Sequence, residues 1–124
     1  MEFYVCKHCG NIITKMHNSG VPVFCCGEKM ETLEAGVTEA ATEKHIPVVE
    51  INGSIVNVRV GSVEHPSLPE HYIQWIVLET DKGFQFKELQ PGDKPEATFC
   101  LCDGEKIKTA YEYCNLHKLW KLDI

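Results

Sequence analysis

No apolar run in this chain approaches the length needed to cross a membrane. There is no block of basic residues either, and the formal net charge is −6. Nucleic-acid binding is driven by Lys and Arg neutralising phosphates, so that class of partner is not expected. The opening stretch MEFYVCKHCG has no basic region leading into an apolar one. No signal peptide is expected from it, and the cytoplasm is the expected location. No convincing amphipathic helix, internal repeat or low-complexity segment is present. Charged and apolar fractions of 24% and 44% are ordinary for a globular protein, which argues against wholesale disorder.

What the sequence has in excess is metal-ligating chemistry: seven cysteines and six histidines among 124 residues. An odd number of cysteines cannot pair completely within the chain. In a reducing compartment, clustered cysteines are more often metal ligands or catalytic groups than disulfides.

Four of the seven lie within residues 1–35. Cys6 and Cys9 form a C-x-x-C knuckle followed by Gly10, and Cys25 and Cys26 are adjacent. The two-residue spacer lets both knuckle sulfurs converge on one ion, and the separation of the halves suits a four-thiolate site. A module this short has too little apolar core to fold alone, and a metal would supply the missing stability. Adjacent cysteines can share an ion only through a constrained backbone. A vicinal disulfide would leave Cys6 and Cys9 unexplained. Spacing alone does not choose between iron and zinc. His8 and His17 are read as solvent-facing bystanders.

Residues 32–45 read as a connector, and from Ile46 the pattern is β. IPVVEINGSIVNVRV holds two β-branched runs around Asn52-Gly53, a hairpin signature of a type I′ turn. HYIQWIVLET, FQFKEL, EATFCLC and IKTAYEYC are further strands separated by turns, which predicts an all-β sandwich or barrel. Cys100 and Cys102 share one face of a strand, and the expected role is that of buried small apolar side chains.

His45, His65, His71, Cys114 and His117 remain. All five fall at strand ends or in loops, with Cys114 and His117 in the final loop, where functional groups project from a β scaffold. Singly, each histidine is more often structural or exposed than a ligand. Jointly, four imidazoles and a thiolate at one end of a sandwich make a nitrogen-rich metal site. Cys114-x-x-His117 would diverge on a regular strand but can converge in a turn.

The segments CKHCGN, CCGEKM, EKHIPV, HP…EHYIQWI, LQPGDKPEA and YCNLHKLWK, in this order, resemble the desulfoferrodoxins, the two-iron superoxide reductases. The resemblance covers essentially the whole chain. It implies a desulforedoxin/rubredoxin-like domain over residues 1–35, with one iron on Cys6, Cys9, Cys25 and Cys26. It implies an immunoglobulin-like β-sandwich over residues 36–124, with a second iron on His45, His65, His71, His117 and an axial Cys114. Glu43 and Lys44 of the EKH motif would flank the open iron position. The implied activity is superoxide reduction, O2•− + e− + 2H+ → H2O2, with a rubredoxin-like electron donor, a homodimeric assembly, and superoxide detoxification in an anaerobe or microaerophile. Two positions depart from the family pattern: Lys118 stands where a glycine usually follows the last histidine, and Ser67 where a methionine often follows the HP pair. The competing class is a non-enzymatic metalloprotein, either an electron carrier or a zinc-stabilised binding module.

Overall fold

β-Branched and aromatic runs broken by turn residues give an almost purely β chain. The computed structural model describes residues 1–124 and has twelve strands, with one three-residue 3-10 turn as its only helical element. No helix is long and apolar enough to cross a membrane. The chain divides into two units, Met1–Glu34 and Ala35–Ile124.

The first unit contains β1 (Phe3–Val5), β2 (Ile12–Thr14), β3 (Phe24–Cys25), β4 (Glu28–Lys29) and β5 (Glu31–Thr32). β1 is the centre of an antiparallel sheet ordered β2-β1-β5, and β3 and β4 form a separate hairpin. Its turn is Cys26-Gly27, with both residues left-handed at φ 52° and 76°. That is the backbone of a type I′ turn. Phe3, Cys6 and Met30 are the only buried side chains of this unit, too small a core to hold it without a further cross-link.

The second unit begins with the 3-10 turn Thr42–Lys44, followed by β6 (Pro47–Asn52), β7 (Ile55–Val60), β8 (Ile73–Thr80), β9 (Gly83–Glu88), β10 (Glu96–Cys100), β11 (Ile107–Cys114) and β12 (Lys118–Asp123). They form two antiparallel sheets, ordered β10-β7-β6 and β12-β11-β8-β9. Alternate residues of both sheets meet in one apolar cluster: Val56, Val58 and Val60 from β7, Ala97 and Phe99 from β10, Ile73, Ile76 and Leu78 from β8, and Ala110 and Cys114 from β11. This is the alternation expected of sheets packed face to face. β11 slips its register on β8 between Tyr113 and Cys114. The irregularity lies beside the thiol that ends the strand, where bulges commonly re-aim a side chain.

Three expectations are corrected. The β6–β7 turn is not centred on Asn52-Gly53: Asn52 pairs with Ile55, so the two-residue loop is Gly53-Ser54, and only Gly53 is left-handed. Cys100 ends β10 and Cys102 lies just beyond it, and both are exposed rather than buried. Phe99 and Leu101 take the core side, because a phenyl ring and an isobutyl group bury more apolar area than two thiols. The segment after His117 is a strand, β12, paired with β11 from Cys114↔Lys118 to Thr109↔Asp123.

Gly61, just after β7, fixes where the 3-10 turn lies. A methyl group there would sit 2.6 Å from the Glu43 carbonyl oxygen and 3.0 Å from that of Ile46. The Glu43 carbonyl accepts hydrogen bonds from Val63 N–H at 2.9 Å and Ser62 Oγ at 3.2 Å. Backbone meets backbone here, so neither side can yield cheaply. Gly61→Ala is therefore expected to lower stability by about 1–3 kcal/mol, read as a fall in the thermal unfolding midpoint. An unchanged midpoint would contradict this packing.

Candidate metal centres

Four segments at one end of the sandwich each deliver donors to a common point. His45 caps the 3-10 turn, with its N–H bonded to the Thr42 carbonyl at 3.1 Å. His65 follows β7, with its N–H on the Val60 carbonyl at 2.9 Å. His71 is held by a two-way backbone bridge to Leu68 at 2.9 and 3.0 Å. Cys114 ends β11, and His117 is the last residue of the three-residue turn into β12. The donor atoms of these five residues all lie within 4.8 Å of one another.

The imidazoles form a closed ring. Centroids of His45 and His65 are 4.8 Å apart, of His65 and His71 4.6 Å, of His71 and His117 5.1 Å, and of His117 and His45 4.8 Å. Each neighbour is turned by 80–83°. Cys114 Sγ lies 3.9 Å from His117 Nδ1, which is 3.1 Å from His45 Nε2. His45, His65 and Cys114 are buried, and His71 and His117 are half-buried.

Backbone carbonyls set the tautomer of two of the rings. His45 Nδ1–H donates to the Ala41 carbonyl at 2.8 Å and His65 Nδ1–H to the Pro66 carbonyl at 2.7 Å. A carbonyl partner keeps the proton on Nδ1 and leaves the Nε2 lone pair free. The Nε2 atoms of His65 and His71 are buried with no hydrogen-bond partner. Burial pushes His65 down to about 4. Burial also lowers His45 and His71, to which the charges of neighbouring imidazoles and Lys44 add. Burial raises the Cys114 thiol. Burial thus disfavours the charged forms of three imidazoles and of the thiol that meets them at one point. Orphaned lone pairs in a dry site are costly, and a soft-to-borderline metal ion satisfies all of them. The donor set fits iron.

In the first unit the sulfurs of Cys6, Cys9, Cys25 and Cys26 also lie within 4.8 Å of one another, and all seven cysteines of the chain are free thiols. Cys9 Sγ and Cys25 Sγ are 3.6 Å apart. Gly10, at φ 84°, donates its N–H to the Cys6 carbonyl at 2.9 Å and closes the knuckle. Left-handed Cys26 supplies the constrained backbone that an adjacent pair needs. Hydrogen bonding from the Cys9 N–H brings Cys6 down to about 6, whereas Cys26, sharing hydrogen bonds with Cys9 and Cys6, rises to about 12. Four neighbouring thiols do not ionise together unless a cation compensates them. His8 and His17 are exposed and outside both groups.

Glu43 and Lys44 lie in the exposed 3-10 turn preceding His45. Three residues that sequence reasoning did not single out support the site. Asn115 Oδ1 accepts the Tyr72 N–H at 3.0 Å and Asn115 Nδ2 donates to the Glu70 carbonyl at 3.0 Å, joining the His71 loop to the Cys114–His117 turn. Trp120 Nε1–H donates to the His117 carbonyl at 3.0 Å, and its ring lies 5.0 Å from that of His45. Glu112 is wholly buried, neither carboxyl oxygen has a partner, and burial raises its pKa well above the carboxylate range. The strand alternation YEYC was the available signal for Glu112, since it places that residue on the face of Cys114. Asn115→Ala is expected to weaken metal retention at the five-donor centre by about 10–100-fold, as loss of an outer hydrogen bond does elsewhere. Metal release to a chelator measures this, and equal release from variant and parent would contradict it.

Comparison with known proteins gives a consistent picture. Residues 37–123 match the family model for desulfoferrodoxin. The chain is 46% identical over 122 residues to the desulfoferrodoxin of Nitratidesulfovibrio vulgaris, covering 98% of this chain and 95% of that one. The crystal structure of the superoxide reductase from Treponema pallidum superposes with a TM-score of 0.83 at 42% identity, covering 99% of this chain and 100% of the other. The one-iron superoxide reductase from Giardia intestinalis matches 66% of this chain and 99% of its own, with a TM-score of 0.56 at 35% identity. A likeness that runs from end to end and includes both groups of donors leaves one conclusion: this chain belongs to the desulfoferrodoxin family.

Proposed function

We propose that this protein is a superoxide reductase, catalysing O2•− + e− + 2H+ → H2O2. The observation that carries the reading is the convergence of His45, His65, His71, His117 and Cys114 on one point. Those five residues would hold one iron, and Cys6, Cys9, Cys25 and Cys26 a second. Iron bound by five protein donors supplies one-electron chemistry at a remaining open position. The assignment of these ligands, of residues 1–35 as the Fe(Cys)4 domain and of residues 36–124 as the catalytic domain is part of the proposal.

The roles of the protein groups follow from their surroundings. His45 and His65, whose Nδ1–H groups are held by carbonyls, present fixed, uncharged rings. Cys114, buried and at the end of β11, would contribute its negative charge as a thiolate and offset the positive charge gathered there. The half-buried His71 and His117 mark the side from which a small anion can approach. Lys44, exposed and without an ion-pair partner, attracts that anion although the whole chain is acidic, because steering depends on local charge. Its ammonium also orders water from which protons reach the product. Glu43, next to it in the turn, would offer a carboxylate beside the open position.

The resemblance to desulfoferrodoxins supports the wider reading: a rubredoxin-like donor, a cytoplasmic homodimer, and detoxification of superoxide in an anaerobe or microaerophile. The four-cysteine centre would relay electrons or hold its domain together.

Two measurements test this. With a reductant in excess, each superoxide consumed should give one hydrogen peroxide with no dioxygen. Dioxygen in dismutase proportion would contradict a reductase. Lys44→Ala should slow the second-order reaction with superoxide about tenfold or more and flatten its ionic-strength dependence with both metals retained. An unchanged rate under pulse radiolysis would remove Lys44 from the mechanism.

A further inference from the structure

Lys118 occupies a backbone conformation that residues bearing a side chain avoid. Its φ is 67°, in the left-handed region. The one other non-glycine residue that does this is Cys26, a member of the four-thiol group. The local cause is the hairpin. Cys114 pairs with Lys118 across Asn115, Leu116 and His117, and three-residue hairpin loops close with a left-handed residue. The turn requires that conformation, and glycine would adopt it without penalty. Nothing in the turn requires a lysine.

The lysine makes no contact that explains it. Its side chain is exposed, and no carboxylate pairs with it. It is nevertheless the direct cross-strand partner of Cys114, and the Cα atoms of such pairs lie about 4.5–5.5 Å apart. Lys44 lies on a different segment, directly before His45. Two lysines without an ion-pair partner thus adjoin the donor set, Lys44 next to His45 and Lys118 opposite Cys114.

We propose that Lys118 is a positioning residue acting through Cys114, whose fixed ammonium charge beside the thiolate raises the reduction potential of the five-donor centre. This rests on the reading of Cys114 as a thiolate ligand. The reduced centre carries one less positive charge than the oxidised centre, so a nearby cation favours it. A unit charge several ångströms away across a partly solvated medium changes the reduced-to-oxidised ratio by about 2–10-fold. For a one-electron couple, tenfold corresponds to about 59 mV. The strained backbone is the stability cost of placing that charge one residue after His117.

Three variants separate charge from strain. Lys118→Gly removes both, Lys118→Met removes only the charge, and Lys118→Arg keeps both. The readouts are the midpoint potential, titrated through the thiolate-to-iron absorption, and the thermal unfolding midpoint. The potential should fall by the same amount in the Gly and Met variants and stay put in the Arg variant. The fall should shrink as salt is raised, because an exposed charge is screened. Only Lys118→Gly should raise the thermal midpoint, by about 2–5 °C. An unmoved potential in the Gly and Met variants, or an equal fall in the Arg variant, would overturn the proposal. Absence of any thiolate absorption in the unsubstituted holoprotein would overturn the assignment of Cys114 as well, which distinguishes the two failures.

Discussion

Nε2 of His65 and Nε2 of His71 are buried with no donor to satisfy them, and His45 Nε2 faces His117 Nδ1 at 3.1 Å with its own proton committed to the Ala41 carbonyl. An apolar core would not tolerate such an arrangement, because each orphaned acceptor costs roughly 1–3 kcal/mol. The second unit keeps it, and the carbonyls of Ala41 and Pro66 hold the opposite edges of the His45 and His65 rings. Five donor atoms within 4.8 Å of one another, two of them buried imidazole nitrogens without a partner, therefore call for a cation. The remaining features of that end of the sandwich serve to keep the donors in place.

The scaffold does this with ordinary β-sheet devices. Core packing of Val56, Val58, Val60, Phe99, Ile76 and Leu78 fixes the two sheets, and the donors then emerge where strands begin or end. Gly61 lets the turn carrying Glu43 and Lys44 lie directly on the loop leading to His65. Asn115 ties the His71 loop to the Cys114–His117 turn, and Trp120 anchors the His117 carbonyl. Each donor segment is thus fixed to another donor segment as well as to the core. The thiol is the exception in its environment, since Cys114 belongs to the apolar cluster itself. Lys118 is its partner across the hairpin, and the buried Glu112 lies two residues before it on the same strand.

Much of this was legible in the letters. The strands β7 to β11 announce themselves by alternation and turn residues, and the two sets of donors were separable by counting which cysteines and histidines fall in loops. What the letters left open is instructive. A hairpin signature at Asn52-Gly53 located the turn but not its register, which the inward-facing valines of β7 decide. Two cysteines two apart read as sharing a strand face, but the strand ends at Cys100, and the competing areas of Phe99 and Leu101 leave both thiols to solvent. The strand after His117 was hidden because one turn residue, Lys118, breaks the usual preference for glycine at positive φ. Asn115 and Gly61 act through backbone groups distant in sequence, and no local pattern signals such contacts.

The central claim is that the two groups of donors are two iron centres and that Cys114 is a ligand of the second. It is tested most directly by the metal content and visible spectrum of protein purified anaerobically, before and after oxidation, alongside Cys114→Ser. The holoprotein should carry two irons per chain and show a thiolate-to-iron absorption that appears on oxidation of the five-donor centre and is absent from the serine variant. Colourless, redox-silent protein carrying zinc, or an absorption that survives the loss of the Cys114 sulfur, would contradict it.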